Sequence, residues 1–553
     1  MSASGDTFGA ATPGEAAIPI FSRKATGLVR QVSLVNQLLF NAASTTPLGA
    51  AIVFGLFALI LFPRANIYVA TIVAIAGALG AWVTISLLTA AIPRIGGDYT
   101  INSRILHPAV GLAGNLSVYV STAIASGLAA VWVATQALSP VFLVIGSVTH
   151  SHTMLTWGTY LNGSHHKFVI FLIAMAALIA NSLLAVLGTR LLMRVMSALF
   201  VIAALGFVID ELILLFTSHS SFVHTVNSAA GANTYSNVVA AGHKAGLATG
   251  GVGHSTKSTI GAIYSMIGVT LFVWWGTYLA SEFRGAGQRK RQLSTILGAG
   301  VGQGLLVLLG MFIFLHRVGH DFFASALAGN YSQGGGTVGT AGYAYFSALV
   351  ASNTAAVIFL ALLFLGWWMP LLNVNLAMTQ RAVFAWSFDG LLPKRFGEVS
   401  ERYHTPVIGI ASSVVTGGAC AAWVAWGGAN FFKIFAIMQF FAYIPIAVMG
   451  ISAMVFKWRR PDLYNGSPAQ WRVGGLEILP IAGLLALVWA CFAIFLVFYF
   501  HVNLGLVGGY YTATYIAPFA VWALAFVWWY VARAMRRRQG VDLDLAYKVI
   551  PPD

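Results

Sequence analysis

Two adjacent carboxylates, Asp210 and Glu211, stand inside FVIDELILLF (207–216), an otherwise apolar run. Taking an ionised carboxylate out of water is costly, so acids within an apolar span are candidates for carrying a proton. Successive helical residues point about 100° apart, so one of the pair is expected to face protein. A site near the end of the run, close to water, is the competing reading.

Two further stretches gather polar or aromatic groups where a plain apolar helix has leucine. NAASTTPLGA (41–50) places Asn41, Ser44, Thr45 and Thr46 beside Pro47, which lacks an N–H and clashes with the preceding turn. GVTLFVWWGTY (268–278) supplies glycines together with Phe272, Trp274 and Trp275. A helix broken at membrane depth exposes N–H groups on one half and carbonyls on the other, and is tolerated only inside protein or beside a cavity. A simple proline kink, with the hydroxyls bonded back to their own helix, is the alternative for the first stretch. A third cluster, PRIGGDYTINSRILHP (93–108), crowds Pro93, Arg94, Gly96, Gly97, Asp98 and Arg104 between two apolar runs. It is expected to be a wet loop at a membrane surface, with Asp98 paired to Arg94 or Arg104 and the glycines supplying unusual backbone angles.

The elements holding these groups follow from composition. The 553 residues are 58% hydrophobic and 8% charged, with mean hydropathy +0.81, against about 25% charged in soluble domains. An all-α polytopic membrane protein is implied, with no large soluble domain. Cys420 and Cys491 lie in apolar runs and form neither a disulfide framework nor a metal motif. The polar N-terminus lacks the apolar core of a cleavable signal peptide.

Runs of about 20 apolar residues, enough for a bilayer core of roughly 30 Å, recur at 33–62, 67–92, 109–146, 168–188, 194–217, 259–281, 293–315, 345–384, 406–426, 433–456, 477–500 and 511–534. Twelve transmembrane helices are therefore expected. With both termini in the cytoplasm, 24 of the 30 basic residues fall in inner segments, as the excess of Lys and Arg in cytoplasmic loops requires. The cluster at 93–108 then joins helices 2 and 3 on the cytoplasmic side, where it is expected to shape or gate the inner mouth.

Interruptions at corresponding places in two halves mark inverted-repeat transporters, and helices 1 and 6 occupy such places if five helices repeat as five. PRIGGDY resembles the P-x-x-G-G-x-Y signature of the amino acid/polyamine/organocation permeases. RAVFAWSFDGLLPKRFGEVSERYHTPVIGI (381–410) is similar to the loop after their helix 8, and ASEFRGAGQRKRQ (280–292) to their A-G-E-x-K-x-P segment, with Glu282 kept. Helix 1 departs from the family's G-x-G, and the proline after helix 6 is missing. The resemblance, over about 35–535, implies a leucine-transporter-like 5+5 inverted repeat with discontinuous helices 1 and 6, and alternating access to a central site. It divides the chain into a cytoplasmic tail (1–32), a first five-helix repeat (33–217), an extracytoplasmic loop (218–258), a second repeat (259–456), helices 11 and 12 with the preceding loop (457–534) and a cytoplasmic tail (535–553).

A broken helix suits a zwitterion, since N–H ends face an anion and carbonyl ends a cation. Asn41, Ser44, Thr45 and Thr46 are expected to hold the charged ends of an amino acid, with Phe272, Trp274 and Trp275 around its side chain. Helices 1, 3, 8 and 10 contain no Asp or Glu up to Arg381, and helix 6 has none before Glu282. The expectation is a secondary active transporter, an amino acid permease importing a neutral, fairly apolar amino acid with a proton. A polyamine or organocation transporter, an amino acid exchanger, and a nutrient sensor that binds without transport are the alternatives. An intramembrane enzyme is disfavoured, because no H-E-x-x-H or other converging catalytic set is present. Gly96, Gly97, Asp98, Tyr99 and Glu282 are expected at an inner gate. No cofactor or metal is expected, and the proton is favoured over sodium, since helix 8 offers Asn373, Asn375 and Thr379 but no serine. The partners are the amino acid and the lipid bilayer of the plasma membrane, not nucleic acid; nothing fixes an oligomer.

Eleven of the 13 histidines fall in outer loops, among them His150, His152, His165, His166, His219 and His254, with one acid, Asp321. An acid-living prokaryote, whose exterior would charge them near pH of about 6.5, a metal at HSH or HH, and ordinary solvated loops are all compatible. Loop 218–258, rich in Ser, Gly, Asn, Thr and His, is expected to be mobile or partly disordered. GAGVGQG (298–304) lacks the Lys-Ser/Thr of a phosphate loop, and its small residues suit close helix packing.

Overall fold

Apolar length decides the architecture. The computed structural model describes residues 32–45, 48–162, 166–247, 255–331, 342–351, 353–403, 405–426, 431–500 and 512–550. Among them, eleven helical stretches are long and apolar enough to cross a membrane. The expected first span is instead three short helices, α1 (Leu34–Ala43), α2 (Leu48–Leu56) and α3 (Ala58–Leu61). Thr46 and Pro47, between α1 and α2, lie outside the described residues.

The chain continues through α4 (Ile67–Ala91), α5 (Asp98–Ile105), α6 (Pro108–Trp132), a π-helical turn at Val133–Leu138, and α7 (Ser139–Thr149). From Pro108 to Thr149 the path is 42 residues long, about twice what a 30 Å core needs at about 1.5 Å per residue. The π turn interrupts it, and α7 pairs with α8 (His152–Asn162). At Gly146 a Cβ would meet Leu155, and at Gly158 Leu143, so small residues set this contact.

Next come α9 (Lys167–Val186), α10 (Thr189–Phe216), α11 (His219–Ala230), α12 (Thr234–Lys244) and α13 (Thr256–Thr270). The segment expected to be mobile thus forms two helices over 219–244. Ser218 caps α11 through its hydroxyl, and Phe222, Val226 and Val238 are buried. Tyr235 stacks on Phe322 at 4.4 Å. A few apolar anchors at helical spacing outweigh the polar composition between them.

The remaining helices are α14 (Arg289–Val318), α15 (His320–Ser325), α16 (Tyr343–Leu349), α17 (Thr354–Phe364), α18 (Trp368–Phe388), α19 (Val407–Trp426), α20 (Phe431–Arg459), α21 (Pro461–Tyr464), α22 (Ile478–Tyr499), α23 (Thr512–Arg538) and α24 (Leu543–Lys548). The expected span 345–384 begins later, at Thr354, because α16 is a separate short helix. A two-stranded hairpin, Arg472–Val473 with Leu476–Glu477, turns on Gly474 and Gly475, both at positive φ, as a two-residue hairpin requires. The most apolar stretch of Thr256–Glu282 is 89% buried, against 22% for that of Tyr515–Arg538. The interrupted sixth span therefore lies at the centre and α23 at the rim. In α14 a Cβ on Gly300 would sit 2.6 Å from the Trp82 ring, the close packing expected of GAGVGQG.

Candidate functional site

The helical path that begins with α13 loses its α-helical pattern after Thr270 and resumes as a 3₁₀ helix over Trp275–Glu282. Of the freed carbonyls, Leu271 O accepts from Trp82 Nε1 at 3.2 Å and Phe272 O lies 2.6 Å from Ser44 Oγ; the single Ser44 hydroxyl hydrogen is shared with Asn41 O of its own helix at 2.5 Å, and Thr45 likewise bonds back to Ala42 O. Ser44, at the end of α1, thereby joins the break after α1 to the break after α13. Asn41 Oδ1 accepts from the Gly276 N–H at 3.1 Å. Buried backbone groups must be paired, so these side chains are what permits both interruptions.

Between the breaks is a cavity of about 40 Å³. Ser44, Thr45, Ser121 and Asn375 give it a polar edge, while Phe272, Trp275, Trp132, Leu371 and Met438 form much of its apolar wall. Among the described residues no acidic or basic side chain lines it. Tyr443, Phe272 and Trp275 stack face to face, and Trp274 continues the stack at 4.9 Å from Trp275. Of the residues expected here, Ser44, Thr45, Phe272 and Trp275 line the cavity; Asn41 and Trp274 support it from behind. Ser121, Trp132 and Met438 come from α6 and α20, and no feature of those stretches singled them out. Asn375 Nδ2 donates to Leu371 O at 2.8 Å and Thr379 bonds within its own helix. Both amide atoms of Asn373 are buried without a protein partner.

At one end of the bundle the starts of α6, α10 and α14 meet the ends of α4, α18 and α23, together with α5 and α24. This end carries most of the arginines. The stretch expected to be wet is α5, with Asp98 and Arg104 buried; it stays dry because each charge has partners from other helices. Asp98 pairs with neither Arg94 nor Arg104. Its Oδ1 accepts from Asn115 Nδ2 at 2.9 Å and from the Tyr278 hydroxyl. Burial pushes this carboxyl up to about 7, against the lowering effect of those two donors. Arg104 instead makes a bidentate pair with Asp389, at 2.7 and 2.8 Å. Tyr99 donates to the same carboxylate at 2.8 Å, and Tyr547 of α24 lies 2.6 Å from the Tyr99 oxygen. Gly97 has φ +52, and a Cβ there would sit 2.7 Å from the Tyr278 ring; at Gly96, φ +93, it would meet Ala385. Glu282 forms a second buried bidentate pair, with Arg381 at 3.0 and 3.2 Å, and Arg381 also donates to Thr189 and Gln380.

At the opposite end Asp210 and Glu211 stand six and five residues before Phe216, where α10 stops, about 9 Å from it at 1.5 Å per residue. Both are buried, where only one was expected to face protein. The Tyr343 oxygen of α16 reaches both, 2.9 Å from Asp210 Oδ2 and 2.6 Å from Glu211 Oε1. With Gly310 of α14, Tyr343 of α16 and Leu363 of α17 packed against this end of α10, two directions 100° apart are both interior. Tyr343 also lines a second cavity of about 90 Å³ with Tyr345, Trp367, Trp368, Gln136 and Asn162. Trp132 and Trp368, 4.8 Å apart, contribute to the walls of the central and the second cavity respectively. The π turn supplies Thr135 and Gln136, and Gln136 O accepts from Trp368 Nε1 at 3.1 Å; such turns recur at functional sites.

Among the histidines, His243 lies 2.9 Å from Asp321, and His320 contacts the Tyr68 hydroxyl at 3.2 Å. Burial lowers the His320 pKa. His166 stacks on Tyr160; His165 and His254 lie outside the described residues. Among the described residues no group of three His, Cys, Asp or Glu is placed to hold a metal ion.

No curated protein matches the sequence. The family described as amino acid permease matches residues 36–531, a range that takes in both helix breaks, the cavity between them and the two buried ion pairs. With most of its length covered by that match, the chain belongs to the amino acid permease family.

Proposed function

We propose that the protein is a secondary active transporter that imports a neutral, fairly apolar amino acid together with a proton. The observation that carries this reading is the central cavity: a hydroxyl and amide edge beside two helix breaks, an aromatic wall, and no charged side chain among the described residues of its lining. Half-helix N-termini suit the substrate carboxylate and freed carbonyls its ammonium group. A dication would find no carboxylate there. Counting the three short helices at the start as one broken span, the chain has twelve spans in a leucine-transporter-like 5+5 inverted repeat. The basic end is cytoplasmic, as the distribution of Lys and Arg favours, and the membrane is the plasma membrane. Asp210 and Glu211 carry the coupled proton, because they are the buried acids without a basic partner near the opposite mouth. Alternating access then exposes the central cavity first to the second cavity and afterwards to the cytoplasm.

The test is uptake of a panel of radiolabelled amino acids and polyamines into proteoliposomes, with and without an inward proton gradient. Saturable uptake of a neutral amino acid that collapses with a protonophore is the expected result. Uptake of polyamines alone would overturn the substrate assignment, and binding without uptake or exchange would make the protein a sensor.

A further inference from the structure

Two oxygen-to-oxygen contacts need two hydrogens. Around Tyr343 there are two such contacts, to Asp210 Oδ2 at 2.9 Å and to Glu211 Oε1 at 2.6 Å. A phenol carries one hydrogen, and an ionised carboxylate only accepts. The arrangement is satisfied when one carboxyl is protonated and donates to the phenol oxygen while the phenol donates to the other.

We propose that Tyr343 is a latch through which one proton shared by Asp210 and Glu211 closes the mouth opposite the basic end. This rests on the reading above in placing that mouth outside and the coupled proton on this pair. Among the described residues Asp210 Oδ1 and Glu211 Oε2 close no hydrogen bond, although the buried Ser347 hydroxyl of α16 approaches Asp210, and no described basic side chain pairs with either acid. The charged and titratable groups on the packed elements are accounted for. Arg317 of α14 donates to Leu215 O and His219 lies against Arg317 O. Arg289, Lys290 and Arg291 lie at the far end of α14, Lys167 lies at the start of α9, and Arg381 of α18 is held by Glu282. His316 lies in the last turn of α14, Tyr345 faces the second cavity, and α1, α2 and α17 carry no titratable group.

The position of Tyr343 makes the pair mechanically useful. It is the first residue of α16, its ring packs on Phe314 and Trp367, and it lines the second cavity. It therefore stands between that cavity and the carboxyls. A Cβ on Gly310 would lie 2.9 Å from Glu211 Oε1, so the absence of a side chain there is what makes room for this carboxyl beside Tyr343. A hydronium ion in the cavity delivers its proton to a carboxylate oxygen, and both contacts to Tyr343 form. When the proton leaves, one hydroxyl faces two carboxylates, one contact fails, and like charges repel across it. The start of α16 is then released and the outer cavity opens.

The experiment uses the full-length protein in proteoliposomes with Cys420→Ser and Cys491→Ser, and a reporter Gln136→Cys in the second cavity. Labelling by a membrane-impermeant thiol reagent, expressed throughout relative to the reagent's rate with a free thiol at the same pH because only the thiolate reacts, is followed at an external pH of about 5 and of about 10, below and above the range of buried carboxyls. Labelling is expected to be about tenfold faster at the higher pH, the scale of one hydrogen bond to a charged group. Tyr343→Phe is expected to label fast at both pH values. Glu211→Gln, whose amide donates without titrating, is expected to label slowly at both. An unchanged pH ratio in either variant overturns the latch. Loss of proton-coupled uptake in Asp210→Asn with Glu211→Gln, together with unchanged pH-gated labelling in Tyr343→Phe, removes the latch and leaves the coupling reading standing. Uptake in the double variant that still collapses with a protonophore removes the coupling reading itself.

Discussion

The two ends of the bundle bury their carboxylates in opposite ways. At the basic end Glu282 and Asp389 each face an arginine in bidentate geometry, while at the other end Asp210 and Glu211 share a single phenol. An arginine stays charged across the accessible pH range, so the first arrangement is complete without a bound proton. The second is complete only with one. An end held by fixed ion pairs keeps its contacts as pH changes, and an end whose buried acids lack a cation responds to it. Asp98 falls between the two: it sits at the basic end, accepts from Tyr278 and Asn115, and has no cation.

The largest way to break this contrast is to remove one member of a fixed pair. Arg381→Ala leaves Glu282 buried without its cation, and a stranded charge costs about 3–5 kcal/mol. Arg104→Ala does the same to Asp389, which keeps the hydrogen bond from Tyr99 but loses its bidentate cation. Thermal unfolding in detergent is expected to show a large loss of stability, or no folded protein, for either single variant. Adding Glu282→Gln to Arg381→Ala is expected to restore part of it, because no ionised group is then left behind.

Much of this contrast could be anticipated along the chain, but not across it. Long apolar runs marked the spans because a bilayer sets a minimum length. Pro47 and the glycines and tryptophans of 268–278 marked the breaks, because such residues do not sit in a plain span without a reason. Ser44, Thr45, Phe272 and Trp275 were recognisable for that reason, and all four line the cavity. What stayed hidden was pairing between distant segments. Arg104 with Asp389 and Tyr343 with Asp210 join residues far apart in sequence, and neither partner carries a local mark of the other. Ser121, Trp132 and Met438 look like ordinary residues of apolar helices. The helices at 219–244 were masked by polar composition, since a handful of buried residues is enough to hold them.

Asp98→Asn sharpens the comparison at the basic end. The Asp98 carboxyl is raised from an ordinary 3.8 to about 7 by burial, so the folded state holds its proton more tightly than the unfolded one between those values. Its stabilising contribution is therefore complete below about 3.8, shrinks as pH rises through the window, and is gone above about 7. Melting temperature is expected to fall with pH over that range in the native protein, by several degrees, and to fall less steeply in Asp98→Asn. The carboxamide still accepts from Asn115 and Tyr278 through its oxygen, so a loss of the packing itself is not expected. An identical slope in both proteins would place the pH sensitivity elsewhere.

Tyr547→Phe has the smallest expected effect and tests whether α24 belongs to the fixed end. Its hydroxyl lies 2.6 Å from that of Tyr99, its ring lies under the Arg104 guanidinium at 4.6 Å and packs edge-on against Trp529. Removing the hydroxyl deletes one neutral hydrogen bond, worth about 1 kcal/mol, while phenylalanine keeps both ring contacts. Tyr99 retains its bond to Asp389, so the Arg104 pair survives. The expected result is a lower melting temperature by a few degrees at most, with the same pH slope as the native protein, because neither hydroxyl needs to titrate for the contact to hold. A change in that slope would show that the contacts around Asp389 respond to protons after all, and the distinction between the two ends would narrow to Asp98 and its neighbours.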